Sequence, residues 1–167
     1  MSKPRKWVAY VRKEYSVEQC AYMAGLVDGE GSLVIAYPKR RDFQTYITIT
    51  STTPKIIEWI VGVFGGSITT YTQKQTPKNS RKMAYKWQAT GYRLDHIIEV
   101  IYPYLTEKKE QAAVLIEMRK TFSIHYRGVK GKPGAAALPD EIVKKRIHLW
   151  ETLKALHVRG YSNHKFS

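Results

Sequence analysis

Ala21-Tyr22-Met23-Ala24-Gly25-Leu26-Val27-Asp28-Gly29-Glu30-Gly31 is a helix-like run with an acid at its end, and the fold follows from how it is read. Ser16, with Gln19 three residues later, makes a capping box, and Tyr15 can staple against Cys20, so the helix starts at Ser16. Gly29 offers the left-handed conformation that commonly closes a helix, which predicts the end there. Ala21, Ala24, Gly25 and Gly29 recur at three- and four-residue spacing, leaving one face nearly without side-chain volume. A second helix can approach such a face closely.

If two copies of the helix pack on that face, their C-terminal ends each carry partial negative charge, and Glu30 adds a full charge just beyond. A hard divalent cation such as Mg2+, which takes carboxylate, carbonyl and water oxygens, suits the gap between them. Asp-Gly-Glu-Gly by itself reads as an ordinary turn. The capped, small-residue helix ahead of it turns the reading toward a site.

Met23-Ala24-Gly25-Leu26-Val27-Asp28-Gly29-Glu30-Gly31 resembles the LAGLIDADG signature of homing endonucleases, with Met for the first Leu, Val for Ile, Gly for the second Ala and Glu for the last Asp. The resemblance implies that Glu30 is the metal-binding catalytic carboxylate, the Gly29 carbonyl a second ligand, and Asp28 a supporting residue at the helix junction. It also implies Ala21, Ala24, Gly25 and Asp28 as a dimer interface. The implied cofactor is Mg2+, with Mn2+ able to substitute and Ca2+ binding without supporting cleavage.

Charge agrees independently. The 167 residues hold 28 Lys and Arg against 14 Asp and Glu, a net charge of +14. That excess predicts a polyanionic partner, because neutralising phosphates releases counterions. The length suits one domain with a core. No apolar run approaches the roughly 20 residues that span a bilayer, and the amino terminus lacks a signal-peptide pattern, so no membrane partner is expected. A single cysteine, Cys20, excludes a disulfide framework within one chain and suits a reducing, intracellular setting. The five histidines show no metal-ligand spacing and read as surface or packing residues.

Residues 1–15 form a basic segment, read either as an arm touching phosphates or as a solvated terminus. Ser32 to Tyr37 alternates as a strand, with Ser32, Val34 and Ala36 on one face. Pro38 to Asp42, containing Lys39, Arg40 and Arg41, is a basic turn. Phe43 to Thr50 returns with Ile47 and Ile49 inward and Gln44, Tyr46, Thr48 and Thr50 outward. Thr53-Pro54 starts a helix with Ile56, Ile57, Ile60, Val61 and Phe64 on its apolar face, stopped by Gly65-Gly66. A second hairpin runs from Ser67 to Gln75 and from Lys82 to Thr90. Thr69, Tyr71, Gln73, Gln75, Lys82, Lys86 and Gln88 lie outward. Tyr85 and Trp87 pack on helices or stack on bases, since aromatic rings serve both ends.

Outward Gln, Thr, Tyr, Lys and Arg can read base edges in a major groove. Alternation alone would equally describe a solvated sheet face. Together with the charge and the acidic helix end it points to DNA.

A helix from Leu94 to Tyr102 is interrupted at Pro103, and one from Glu107 to Arg119 turns Ala112, Leu115 and Met118 inward. The segment Pro103-Tyr104-Leu105-Thr106-Glu107-Lys108-Lys109-Glu110-Gln111-Ala112 resembles the part of the same family that carries a catalytic-site lysine. The resemblance assigns that role to Lys108. It also matches Ser51 to a water-organising residue after the second strand, and Lys55 to a basic residue that follows. As residues alone, Glu107 to Glu110 read as a solvated helix start. A final helix from Pro139 buries Ile142, Ile147, Trp150, Leu153 and Leu156, and residues 157–167 form a basic tail.

The element order predicts an α+β fold in which a four-stranded antiparallel sheet is backed by helices, in αββαββα order, within a single domain over residues 16–156. Only one acidic motif is present, so a two-carboxylate site implies a homodimer and a pseudo-palindromic site. The expected activity is a sequence-specific, divalent-metal-dependent endonuclease making a staggered double-strand break in double-stranded DNA. The alternative is a non-catalytic nucleic-acid binder, such as an intron RNA maturase or a DNA-binding regulator on the same scaffold.

Overall fold

Ser16 caps the first helix as its sequence dictates: its hydroxyl accepts from the Gln19 N–H at 3.2 Å and the Gln19 side chain accepts from the Ser16 N–H at 3.0 Å. The computed structural model describes residues 13–37, 43–72, 83–122 and 139–159. Helix α1 spans Val17–Glu30 and runs directly into strand β1, Gly31–Ala36. The expected left-handed closure at Gly29 does not occur. Gly29 lies within the helix, and the chain leaves it at Gly31 in an extended conformation, φ −82° and ψ 159°. The need for glycine falls on Gly31 for a different reason: a Cβ there would sit 2.7 Å from both the Cα and the carbonyl oxygen of Val27.

Strand β2 covers Gln44–Ser51, helix α2 Pro54–Phe64, β3 Ser67–Thr72 and β4 Met83–Thr90. Helix α3, Gly91–Ile101, starts three residues earlier than expected, at Thr90 as N-cap, and passes through a single 3-10 turn at Tyr102–Tyr104 containing Pro103. Helices α4, Lys109–Lys120, and α5, Asp140–Arg159, follow. The four strands form one antiparallel sheet in the order β1-β2-β4-β3. The αββαββα reading and the four-stranded sheet are thus observed.

One face of the sheet carries the core. Leu33, Ile35, Ile47, Ile49, Trp87 and Ala89 meet Met23, Ala24 and Val27 of α1, Ile57, Ile60 and Phe64 of α2, and Leu94, Ile97, Ile98 and Ile101 of α3 in one cluster. Trp87 has no exposed surface, and its indole N–H donates to the Gly65 carbonyl at 2.6 Å. That settles its face: it packs on helices and does not reach the solvent side. Gly65 and Gly66 have positive φ, 69° and 106°, and a Cβ on Gly66 would collide with the Trp87 indole. Thr53 is the N-cap of α2 but makes no side-chain cap bond; the Ser51 hydroxyl instead accepts from the Thr53 N–H at 3.0 Å.

The stripe of α5 is less apolar than its sequence suggests. Ile142, Ile147, Trp150 and Leu156 are half-buried, and only Leu153 and Arg146 are buried among the described side chains. Arg146 donates to the Thr121 hydroxyl at 2.9 Å and to the Thr121 carbonyl at 3.0 Å, and its guanidinium lies over the Phe122 ring at 4.3 Å. A buried charge persists when its donors are satisfied this way.

Candidate nucleic-acid interface and catalytic site

Antiparallel pairing gathers the outward side chains. Ser32 pairs with Thr48, Val34 with Tyr46 and Ala36 with Gln44; Thr48 then pairs with Gln88 and Thr50 with Lys86, and Lys86 with Thr69. Opposite residues share a face, so one register chain runs across all four strands. Ser32, Gln44, Thr69 and Tyr71 are exposed, and Val34, Ala36, Tyr46, Lys86 and Gln88 are partly so. Thr48 departs from the expectation: it lies on this face but is buried among its neighbours, at 8 % exposure, so it presents little surface to a ligand. The Lys86 ammonium lies 5.9 Å from the centre of the Tyr46 ring, which holds that cation over the middle of the sheet. Lys39, Arg40, Arg41, Gln73, Gln75 and Lys82 lie outside the described residues, as do residues 1–12 of the basic arm and residues 160–167 of the tail.

At one end of this sheet the α1 C-terminus brings together residues far apart in sequence. Both Asp28 carboxylate oxygens are used: Oδ2 accepts from the Thr106 N–H at 2.8 Å and Oδ1 from the Lys108 N–H at 2.9 Å. The Lys108 ammonium returns the contact by donating to the Val27 carbonyl at 3.0 Å and to the Asp28 carbonyl. A cation at a helix C-terminus meets the negative end of the dipole; here it shares the Val27 carbonyl with the Gly31 N–H and also takes the Asp28 carbonyl. Glu30, two residues on, is exposed, and its side chain makes no hydrogen bond or ion pair among the described residues. Ile49 pairs with Gly31, so Ser51, two residues further along β2, belongs to the same end of the sheet as Glu30. Ser51 is half-buried on the helix side, and Lys55 is exposed in the first turn of α2 just beyond.

The small-residue stripe needs one correction. Ala24 has no exposed surface and lies in the chain's own core, so it is unavailable to a second helix. The row that remains open is Val17, Ala21, Gly25 and Gly29, all exposed, at successive intervals of four. A Cβ added at Gly25 or Gly29 would meet nothing within 4 Å. Next to this row, exposed Tyr22 packs edge-on against Trp59, with ring centres 4.7 Å apart.

Sequence reasoning missed the two-way contact between Asp28 and Lys108, which joins residues 80 apart and leaves no local pattern. It also missed Arg146, although four-residue spacing from Ile142 to Trp150 passes through it. His96 is a packing residue, as expected for the histidines: its Nε2 meets the Lys13 carbonyl at 2.8 Å, and its ring lies 5.3 Å from that of Tyr15. Tyr15 also stacks on Phe64 at 4.5 Å. Among the described residues no three His, Cys, Asp or Glu side chains cluster as a metal site. No described helix is long and apolar enough to cross a membrane.

No protein-family model and no curated protein sequence matches the chain. Solved structures do match. The homing endonuclease I-CvuI, in complex with the I-CreI target in the presence of Mg with the DNA not cleaved, superposes with a TM-score of 0.61 at 16% identity, over 90% of this chain and 86% of that one. The same enzyme with its own target in the presence of Ca gives 0.58 at 17%, over 90% and 86% of the two chains. The archaeal intron-encoded homing endonuclease I-Vdi141I complexed with DNA gives 0.63 at 16%, over 89% of each chain. The LAGLIDADG meganuclease I-AabMI bound to uncleaved DNA gives 0.50 at 19%, over 62% of this chain and 36% of that one. The chain has the α+β fold of LAGLIDADG homing endonucleases.

Proposed function

We propose that this chain is a homodimeric, sequence-specific endonuclease that cuts both strands of a long pseudo-palindromic DNA site by divalent-metal-dependent phosphodiester hydrolysis. The observation that carries the reading is Glu30, a carboxylate at the end of α1 with no partner among the described residues, on the helix end whose carbonyls hold the Lys108 ammonium. The matching structures of DNA-bound homing endonucleases, the +14 charge and the aligned outer sheet face support a duplex DNA partner.

These residues fit a hard divalent cation. Glu30 offers an open carboxylate, and Gly29 supplies the next carbonyl after the two that Lys108 occupies; no described side chain donates to it. A bound Mg2+ would supply charge neutralisation at the phosphodiester and an acidified water. The protein's own part is to hold that charge: Glu30 binds, and Lys108 places an ammonium where negative charge develops on the phosphate oxygens. Ser51 and Lys55 sit toward the same end, where a hydroxyl can orient water and an ammonium can pair with a phosphate. One protomer contributes one such carboxylate, and hydrolysis of two strands calls for two, which the open row Val17, Ala21, Gly25 and Gly29 provides by letting a second α1 pack alongside.

The test is cleavage of a plasmid library of partly palindromic inserts by the wild type and Glu30→Gln, with Mg2+, Mn2+ or Ca2+. Expected are linear products from the wild type with Mg2+ or Mn2+, and binding without cutting in Ca2+ and for Glu30→Gln. Cutting by Glu30→Gln at the wild-type rate refutes the assignment of Glu30.

A further inference from the structure

From the paired contacts at the α1 C-terminus we infer that Asp28 is a positioning residue that sets the Lys108 ammonium on the carbonyls at the end of the helix that carries Glu30, and that it does so from the backbone. The inference rests on the nuclease reading for its consequence in catalysis, but not for its geometry. A carboxylate in the last turn of a helix opposes the helix dipole, so Asp28 does not serve the stability of α1 itself. Its two oxygens instead accept the N–H groups of Thr106 and Lys108, at 2.8 and 2.9 Å. These lie in the turn that leads into α4, whose N-cap, Lys108, has no side-chain cap bond. Asp28 therefore ties down, from 80 residues away, the backbone of the turn that enters α4, by accepting the N–H of the N-cap residue itself and of the residue two before it.

The Lys108 side chain closes the ring by donating to the Val27 and Asp28 carbonyls. Asp28 holds the Lys108 backbone, and Lys108 holds the Asp28 backbone. An ammonium on a four-carbon stem has many rotamers, so fixing its Cα and its nitrogen on the same helix end selects one placement from them. Released at either end, the charge would spread over a wider volume and leave the carbonyls at the end of α1.

Asn is not a neutral replacement at position 28. It offers one acceptor oxygen, and its amide N–H groups would face a backbone N–H, so one of the two contacts is lost and replaced by a repulsive donor pair. The first measurement is hydrogen exchange at the Thr106 and Lys108 amides of the intact protein, without DNA. In Asp28→Asn their protection should fall by about tenfold or more relative to amides within α4, the loss expected for a charge-assisted bond. Unchanged protection at both amides refutes the clasp.

The second measurement is a double-mutant cycle on single-turnover cleavage at saturating DNA and Mg2+, using Asp28→Asn, Lys108→Met and the double variant. Asp28→Asn should slow cleavage about tenfold or more with DNA affinity within about twofold, and should add nothing in the Lys108→Met background. Full additivity of the two effects overturns the positioning role. Circular dichroism and thermal melting screen for folding; if Asp28→Asn unfolds, Asp28→Ser, which keeps one short acceptor, takes its place in both measurements. If the wild type cuts no DNA, the nuclease reading fails while the exchange experiment still decides whether Asp28 anchors the turn that carries Lys108.

Discussion

Replacing Gly25 by Leu tests the proposed pairing of two α1 helices apart from the fold of one chain. Gly25 lies mid-helix in α1, is exposed, and has 4 Å of empty space where a Cβ would stand. Within one chain an added Cβ meets no collision, and the change is favourable to the helix, since leucine exceeds glycine in helix propensity by roughly 0.8 kcal/mol. At a helix pair packed on Val17, Ala21, Gly25 and Gly29, however, the same side chain fills the gap that lets the backbones approach. Overpacking of that kind costs about 1–3 kcal/mol on each side, and the twofold axis applies it twice. The net effect on association is on the order of 2–6 kcal/mol, or roughly 30- to 20,000-fold in Kd. Sedimentation equilibrium across a wide protein concentration range reads it directly, with urea melts of the dilute variant showing that the protomer is intact. A Gly25→Leu protein that dimerises with the wild-type Kd would refute the placement of the interface on this row. One that fails to fold when dilute would show that protomer and dimer form together, as in obligate dimers.

Three further outcomes follow from particular contacts. Gly31→Ala drives a Cβ to 2.7 Å from the backbone of Val27, which cannot yield as a side chain would, and should cost about 2–4 kcal/mol, read as a fall in Tm of roughly 4–16 °C. Trp87→Phe removes the indole donor to the Gly65 carbonyl and part of a fully buried ring, and should cost about 2–3 kcal/mol by urea denaturation at unchanged m. Burial pushes the Cys20 thiol above its ordinary range, so the folded protein keeps it protonated as pH rises through that range while the unfolded chain loses its proton. Alkylation at pH 8 should accordingly be slow until urea unfolds the protein, and stability should decline as pH climbs past the usual thiol value; rapid alkylation of the native protein would contradict the burial.

Legibility in the sequence followed the range of the interactions. The capping box at Ser16 and Gln19 is a contact three residues long and could be read outright, as could the alternation of Leu33, Ile35, Ile47 and Ile49 that sets the inner sheet face. Gly29 misled because glycine near the end of a helical pattern normally closes it; here the constraint belongs to Gly31, where close packing against the preceding turn, not a left-handed backbone, demands the missing Cβ. Ala24 misled because three- and four-residue spacing defines a broad helical stripe without saying which edge of it is the protomer's core. Trp87 was open between two faces until the position of Gly65 fixed a partner for its N–H.

The candidate site divides along the same line. Glu30 stands out locally, because it is an acid at the end of a small-residue helix whose side chain has no partner among the described residues. The role of Asp28 has no such local sign, since a carboxylate at the end of a helix is unfavourable until the turn from Thr106 to Lys108 arrives to use it. That turn can reach α1 only because α3 and α4 pack against the same core as α1, with Leu105 buried between Tyr104 and Thr106 as the anchor. The geometry that brings Lys108 to the C-terminus of α1 is consequently a product of the hydrophobic core, and perturbations of that core should degrade the candidate site before they unfold the protein.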